Sequence, residues 1–463
     1  MIVKMTTRRT RRLRVDTNYY YYYVAVVAFL YVTSNLVLVV RSARCNGSAK
    51  PGPSNESPID ILNSKNTIEL NSVQNGKRFL VGTKEEDQLN VIHLYGEPYD
   101  WGLAHGLLMK KELNEFFPKV IEYVETQLIA KAANHTLLAK LVEIGIDAAL
   151  DLSYEVTKRY TPSYVMEEIR GLSKGCGVSE NVIRRVMWIG ELTRGSCSMF
   201  GAWGNATKSR DGKLLQLRAL DWDVDGPFRN YPAVVVYHPK NESYGHPWAN
   251  VGFIGWTASI TGMSAAGLSV SEIGVSFPDI SFGKETYLEP GVPFGFLIRD
   301  LLQYDRSLDD AINRITNSRR TCDLLLGVGD GNANAFRGFQ YAPSIANVFD
   351  DQNLMPLEEW HPRIDSVVYW GMDWICPNDN QMLSDQLKKY YGNITALNTI
   401  RYILPYVQTG DLHIAIYDHA NRYMYVANAA SENETGELEA YRRTFLRFDL
   451  DELFSEPAPA EDA

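Results

Sequence analysis

Cys197, Arg218 and Asp221 are the residues whose types and spacing best suit chemistry at a single site. Cys197 stands in GSCSMFGAWG, where a helical pattern gives way to strand-like runs, and the other two stand in the next such run, LLQLRALDWD. A cysteine is a good nucleophile only as a thiolate, so it needs a base or a positive neighbour. A cysteine followed by a strand that carries two opposite charges is therefore a candidate for nucleophilic chemistry.

A histidine base for Cys197 is not evident from the sequence. None lies within twenty residues of it. The distant histidines that could form a Cys–His pair are His238, His246, His413 and His419. In an alternating strand, Arg218 and Asp221 also point to opposite faces, so they meet only through a twist or at the end of the strand. These residues leave open a second interpretation, a buried core cysteine beside an ordinary salt bridge.

The elements that must position these residues change type along the chain. Apolar residues at helical spacing dominate from Asp100 to Leu192, and short strand-like runs separated by Gly, Asp and Asn dominate after Gly195. Two helices interrupt the strands, and in the second Ser307 and Asp310 form a capping-box pattern. The runs around DHAN and GDGNAN predict hairpins. Strands and helices in separate runs predict an α+β fold.

The composition is that of an acidic globular protein with a distinctive N-terminus. The 463 residues carry a formal charge of −10, and no basic stripe follows residue 50, which argues against a nucleic-acid partner. A basic segment, RRTRRLR, precedes an apolar run at residues 18–40. Residues 1–42 are therefore either a cleavable signal peptide or a single-pass signal-anchor. In both cases the rest of the chain is predicted to lie in the lumen or outside the cell.

Seven Asn-x-Ser/Thr sequons agree with a location in the secretory pathway: the lysosomal lumen, the exterior, or a membrane-tethered luminal domain. The predicted glycosylation sites are Asn46, Asn55, Asn134, Asn205, Asn241, Asn393 and Asn433.

The five cysteines leave at least one thiol unpaired within a monomer. Disulfides between Cys176 and Cys376, or between Cys322 and either of these, remain open from the sequence. No Cys or His residues stand at zinc-ligand spacing, and we expect neither a metal nor another cofactor.

The segments GSCSMFGAWGNAT and GKLLQLRALDWD together resemble the core motif of the cysteine N-terminal-nucleophile hydrolases. The similarity is greatest to the peptidase C45 group, typified by acyl-CoA:6-aminopenicillanate acyltransferase. Within that group, the sequence best resembles the acid-ceramidase-like proteins called "defective in cell death". GEPYDWGLAHG, EIRGLSKGCGVSENVI and the later helices and hairpin extend the resemblance over residues 90 to 430.

This resemblance implies a four-layer αββα sandwich and a precursor that cuts itself between Ser196 and Cys197. The freed α-amino group, with an ordinary pKa near 8, would be the base for its own thiol, which accounts for the missing histidine. Asp221 would hold the new ammonium, and Arg218 would steady the thiol or the substrate carbonyl.

The resemblance also divides the chain at the predicted cut. A helical N-terminal fragment at 79–196 would precede a catalytic fragment at 197–452. Composition adds a stalk at residues 43–78, rich in Ser, Pro, Gly and Asn, and a disordered acidic tail at 453–463. The cleaved N-terminal fragment would remain a partner of the catalytic one.

Two departures from the family pattern affect the site. The family's Arg-Asn-Leu-Asp motif stands here as Arg218-Ala219-Leu220-Asp221. Where relatives supply two downstream asparagines, this chain presents Gly274 at the first position and Asp373 or Asn378 as oxyanion-hole candidates at the second.

The implied activity is hydrolysis of a linear C–N amide bond in an N-acylated, lipid-like substrate through a Cys197 thioester, or transfer of that acyl group to an amine. Two alternatives remain: a phospholipase-B-like ester hydrolase, and a non-catalytic secreted or membrane-tethered binding or signalling protein with the same fold.

Overall fold

The computed structural model describes residues 61–63, 67–82, 88–132, 140, 142–193, 195–275 and 288–460. The apolar run at 18–40 and the sequons at Asn46, Asn55 and Asn134 lie outside these ranges. Among the helices that fall inside them, none combines the length and the apolar character that a membrane span requires.

Two β-sheets stack face to face in the described part of the chain. One has seven strands in the order β1-β17-β16-β15-β6-β5-β14, and the other has ten in the order β13-β12-β11-β10-β9-β8-β7-β4-β3-β2. The strands are β1 (Ile61–Asn63), β2 (Thr67–Val73), β3 (Gly76–Val81), β4 (Leu89–Gly96), β5 (Ser196–Ala202), β6 (Leu215–Asp221), β7 (Pro232–Pro239), β8 (Trp248–Phe253), β9 (Thr261–Ser264), β10 (Leu268–Gly274), β11 (Leu324–Asp330), β12 (Ala335–Tyr341), β13 (Ala346–Phe349), β14 (Val367–Met372), β15 (His413–Asp418), β16 (Tyr423–Asn428) and β17 (Phe445–Asp449).

Helices cover the outer face of each sheet. They are α1 (Pro98–Leu108), α2 (Lys110–Ala132), α3 (Ile146–Thr157), α4 (Ser163–Cys176), α5 (Glu180–Trp188), α6 (Phe294–Gln303), α7 (Leu308–Asn317), α8 (Pro377–Lys389), α9 (Ala396–Asn398), α10 (Leu404–Val407) and α11 (Leu450–Ser455). Helices α1, α6 and α7 contact the ten-stranded sheet, and α8 and α9 contact the seven-stranded one. The predicted αββα sandwich is confirmed.

Helices α1 and α4 pack backbone against backbone because glycines line both sides of their contact. A Cβ atom on Gly102 would lie 2.0 Å from a carbonyl oxygen of α4, and one on Gly171 would lie 2.1 Å from the carbonyl oxygen of Tyr99. Gly106 and Gly175 repeat the arrangement one turn later. These glycines belong to the two segments GLAHG and RGLSKGCG. Their spacing therefore serves helix packing.

The folded region begins earlier than the composition predicts. Residues 43–78 are predicted to be a stalk, yet β2 and β3 form an antiparallel hairpin at the edge of the ten-stranded sheet. An edge strand has one free side and tolerates polar residues, so its composition resembles that of a linker.

The acidic tail also differs from its prediction. Helix α11 extends to Ser455, and the Tyr95 hydroxyl donates hydrogen bonds to the carbonyl oxygens of Glu456 and Pro457 at 2.9 and 3.0 Å. Lys77 Nζ lies 2.7 Å from Glu456 Oε1. These long-range contacts order residues 453–457, which composition alone predicts to be disordered.

Candidate active site

Cys197 is the second residue of β5, and its thiol faces the space between the sheets. It pairs with Leu220 of β6 on one side and with Met372 of β14 on the other. Met199, two residues further along the same face, lies so close to the opposite sheet that a Cβ atom on Gly327 would be 2.8 Å from its sulfur. Because side chains alternate along a strand, Cys197 shares this inner face, where it is fully buried.

Arg218 lies on the same inner face, because it is directly opposite Met199 in the β5–β6 pair. Its Nη2 atom lies 3.3 Å from Glu272 Oε2 on β10 of the other sheet, and its side chain is fully buried. The Nε and Nη1 groups of Arg218 have no hydrogen-bond partner among the described residues. Unpaired buried donors are uncommon in proteins and call for an explanation.

Glu272 is a site residue that sequence reasoning missed. It is the only charged residue in the otherwise small and apolar run GLSVSEIGV. A buried charge requires a partner, so this isolated glutamate was the available signal.

Burial controls the protonation of the thiol in the uncut chain. The pKa of Cys197 is raised to about 12, mainly by burial; the positive charge of Arg218 opposes this increase, and the carboxylates of Glu272 and Asp221 add to it. The cysteine is therefore a protonated thiol at neutral and acidic pH. Without a base it is a poor nucleophile.

Asp221 lies on the opposite face of the sheet from the thiol, beside the strand backbone. It is directly opposite Ser196 in the β5–β6 register. Its carboxylate accepts hydrogen bonds from Thr409 Oγ1 at 2.6 Å and from the Gly410 backbone N–H at 2.9 Å. Gly410 has φ near +90°, which favours glycine, so the turn that presents this N–H depends on it. The end of the strand thus brings Asp221 to the bond predicted to be cut.

A small, predominantly apolar cavity of about 40 Å³ adjoins Cys197. Its aromatic walls come from Trp222, Phe228, Phe253, Trp256 and Phe294. Residues before the predicted cut also line it, namely Ile189, Gly190, Thr193 and Gly195. A space of this size holds little more than a water molecule. Part of the cavity wall thus comes from the segment that leads to Ser196.

The candidates for the oxyanion hole occupy different places. Gly274 lines the cavity. Asp373 and Asn378 are not among the residues that line it. Asp373 follows Met372, the strand partner of Cys197, and Asn378 lies in the first turn of α8. The oxyanion role of either residue stays a prediction.

A Cys–His pair does not form among the described residues, because none of the histidines lines the cavity. His413 lies beside Leu220 in the register of β6 and β15, and its Nε2 is 3.0 Å from Thr261 Oγ1. Burial holds the pKa of His413 well below its usual value.

The disulfide pairings that the sequence left open for Cys176 and Cys322 do not form in the described part of the chain. Both residues are buried thiols, whereas Cys376 is disulfide-bonded. The layers explain this result. Cys176 ends α4, which packs on α1 and so lies on the side of the ten-stranded sheet, whereas Cys376 immediately precedes α8, which contacts the other sheet.

The remaining sequence predictions concern the surface and metals. Asn205, Asn241, Asn393 and Asn433 are exposed, as glycan attachment requires, although their modification stays a prediction. In the described ranges, no group of three or more His, Cys, Asp or Glu side chains is arranged to hold a metal ion.

Two curated proteins of Dictyostelium discoideum are similar to this chain over most of its length. Protein dcd1A is 34% identical over 454 residues, which cover 92% of this chain and 98% of dcd1A. Protein dcd1B is 34% identical over 415 residues, which cover 86% of this chain and 81% of dcd1B. No family model matches the chain.

Solved structures share a more distant similarity. The Caenorhabditis elegans ortholog of N-acylethanolamine-hydrolyzing acid amidase is 16% identical, with a TM-score of 0.37, and the match covers 48% of this chain and 93% of that one. A mutant of the conjugated bile acid hydrolase from Clostridium perfringens is 13% identical, with a TM-score of 0.33, and the match covers 56% and 95%.

Proposed function

The chain belongs to the family of the Dictyostelium proteins dcd1A and dcd1B, and we propose that it is a self-processing cysteine amidohydrolase of the N-terminal-nucleophile class, in the peptidase C45 group. One observation carries the proposal. Cys197, the second residue of its strand, lies between a buried arginine with unpaired N–H groups and a carboxylate that lies opposite Ser196. Once the amino group of Cys197 is free, it can act as the base in place of a histidine. The carboxylate can then hold that amine, and the arginine can donate hydrogen bonds to the substrate.

Self-cleavage would proceed by attack of Cys197 Sγ on the carbonyl carbon of Ser196. The C–N bond breaks, the thiol proton passes to the departing nitrogen, and a thioester joins the two residues. Water then hydrolyses the thioester to the Ser196 carboxylate and the free thiol. The new α-ammonium of Cys197 lies near Asp221, whose position opposite Ser196 supports a role in holding it.

Substrate hydrolysis would repeat the same chemistry between two molecules. The α-amine takes the proton of the Cys197 thiol, which attacks the amide carbonyl, and the unpaired N–H groups of Arg218 stabilise the oxygen that gains negative charge. The amine product leaves with the proton, and water hydrolyses the acyl-thioester to a carboxylic acid. If an amine replaces water, the second step becomes acyl transfer.

The walls of the cavity support an acyl chain as the substrate part nearest Cys197. They are aromatic and aliphatic, with Glu272 as the charged exception. Four residues of the segment before the predicted cut form part of these walls: Ile189, Gly190, Thr193 and Gly195. Cleavage after Ser196 would free that segment to move, and the enlarged cavity would admit an N-acylated, lipid-like substrate.

The two fragments would remain together after the cut. Strand β4 of the first fragment pairs in parallel with β7 of the second, within one continuous sheet. Glu168 and Arg299, one from each fragment, form a fully buried ion pair with an N–O distance of 2.6 Å. The luminal or secreted location stays part of the proposal, supported by the four exposed sequons.

The test is expression of the full chain in a secretory host, followed by intact-mass measurement and N-terminal sequencing, with Cys197→Ala and Cys176→Ala in parallel. We expect a fragment that begins at Cys197 in the wild type and in Cys176→Ala, and an uncut chain in Cys197→Ala. Matched amide and ester lipids, offered to the cut protein, then separate an amidase from a phospholipase-B-like esterase. A wild-type chain that stays uncut at neutral and acidic pH would overturn the proposal in favour of a binding protein.

A further inference from the structure

One row of paired residues crosses the seven-stranded sheet from the candidate nucleophile to a second cavity. Cys197 pairs with Leu220, Leu220 with His413, and His413 with Asn428. Directly paired residues share a face, so Asn428 faces the other sheet, as Cys197 does. At about 4.8 Å per strand step, Asn428 lies about 14 Å from Cys197.

The second cavity lies between the same two sheets and at the same end. It has a volume of about 170 Å³. The seven-stranded sheet contributes the end of β16 and the start of β17, and the ten-stranded sheet contributes the starts of β4 and β7. In contrast to the cavity at Cys197, its lining is rich in amides and hydroxyls, including Asn90, Asn230, Asn428, Ser431 and Thr444.

Aromatic side chains lie where the two cavities adjoin. The rings of Phe228 and Phe253 lie 4.8 Å apart between centroids, and Phe253 lies 5.9 Å from His413. Phe228 lines the cavity at Cys197, while its neighbour Arg229 lines the second one. Both residues belong to one short 3₁₀ turn, Pro227–Asn230. A single turn thus presents an apolar wall to one compartment and a cation to the other.

The second cavity offers hydrogen-bond donors and one uncompensated positive charge. Its other arginine, Arg443, is paired with Glu434, whereas Arg229 has no acceptor within the described ranges. The side-chain oxygen of Asn90 accepts from Arg78, and that of Asn230 accepts from the Glu432 N–H. Their NH₂ groups therefore remain as donors. Such a set suits a carboxylate or a phosphate.

We propose that the second cavity binds the anionic headgroup of the substrate whose acyl carbonyl lies at Cys197, with Arg229 as the residue that sets this specificity. The inference rests on the proposed function and narrows its substrate class to N-acyl amines that carry a carboxylate or a phosphate on the amine part.

The kinetic test uses substrates with one acyl chain and one spacer that end in a carboxylate, a phosphate or a neutral hydroxyl. For the cut wild type we expect KM to be lower for an anionic substrate than for the neutral one by about tenfold or more, because a charge-assisted hydrogen bond is replaced by a neutral one. In Arg229→Gln we expect the KM values for the anionic and the neutral substrates to become nearly equal. Arg170→Gln, which changes an arginine on the outer surface of α4, should preserve it.

A binding test keeps this inference separate from catalysis. Inorganic phosphate and butyrate are titrated by calorimetry into uncut Cys197→Ala and into Cys197→Ala with Arg229→Gln, and the melting temperatures show that both are folded. Loss of anion binding in the double variant supports the second cavity even if no amide is hydrolysed. Equal binding by the two variants, or equal KM values for anionic and neutral substrates in the wild type, overturns the inference and leaves the amidase proposal standing.

Discussion

Arg218 Nη2 lies 3.3 Å from Glu272 Oε2, and this buried ion pair joins the two sheets directly beside Cys197. Removal of the arginine leaves a buried carboxylate without its cation. We expect Arg218→Met to lower the free energy of unfolding by about 3–5 kcal/mol. We also expect it to slow self-cleavage by about 100-fold or more, because the unpaired N–H donors are lost. Urea unfolding and timed intact-mass measurements report the two effects.

A double variant separates the structural role of this pair from the chemical one. Arg218→Met with Glu272→Leu replaces both charges by apolar groups, and such replacements often restore stability. Recovered stability without recovered cleavage is the expected result. If the double variant cuts itself at the wild-type rate, Arg218 has no part in the chemistry.

Asp221 is expected to control the pKa of the new N-terminus in the cut protein. A carboxylate near an ammonium raises the pKa of that ammonium, so Asp221→Asn should lower it by about one unit or more. The acid limb of the pH profile of kcat/KM should therefore move to lower pH, with a fall in kcat from the poorer positioning of the amine. Asp223→Asn, at an exposed position two residues away, is the control. An unshifted acid limb would contradict the assigned role.

The contact between α1 and α4 should tolerate no added side chain. In Gly171→Ala the new Cβ atom would lie 2.1 Å from the Tyr99 carbonyl oxygen, so the helices must separate. We expect a loss of about 1–3 kcal/mol in the free energy of unfolding, measured with urea. Gly252→Ala is the matched control, because no atom lies within 4 Å of its added Cβ. Equal stability of the two variants would show that the close approach is not required.

His105 should make the fold less stable in acid. Burial lowers the pKa of His105 to about 4, and its Nε2 accepts a hydrogen bond from the Gly255 N–H at 2.9 Å. In the unfolded chain the His105 ring takes up a proton near pH 6.5. The contribution of neutral His105 to the free energy of unfolding is therefore complete above pH 6.5 and is lost as pH falls toward 4. For one proton, the free energy of unfolding falls by at most about 1.4 kcal/mol per pH unit in this range.

His105→Gln tests this slope because glutamine does not titrate and its side-chain oxygen can still accept from Gly255. Urea unfolding at pH 7, 6 and 5 should show a smaller loss for the variant than for the wild type. His238 and His246, whose pKa values are also lowered to about 4, remain in both proteins and contribute equally. Parallel pH dependences would contradict the assignment to His105.

Local patterns predicted most of the elements. The Ser307 cap of α7 is present, with Ser307 Oγ accepting from the Asp310 N–H, and the DHAN turn joins β15 to β16. Composition failed at the two ends, where β2 and α11 are polar segments held by distant partners. It failed because a polar edge strand and a short terminal helix are not stable by themselves. Both form only through contacts with distant residues, which local composition does not show.

The sequence by itself determined the candidate nucleophile, the arginine proposed to act with it, and the helix-to-strand change that precedes Cys197, because residue types and periodicity are local properties. Only the tertiary structure decided that Glu272 pairs with Arg218, that Thr409 and Gly410 hold Asp221 opposite Ser196, and that Asn428 shares a row with Cys197. These relationships depend on the register of strands and on the stacking of sheets between segments far apart in the chain. Hydrogen bonding and burial set that register only when the whole sandwich forms.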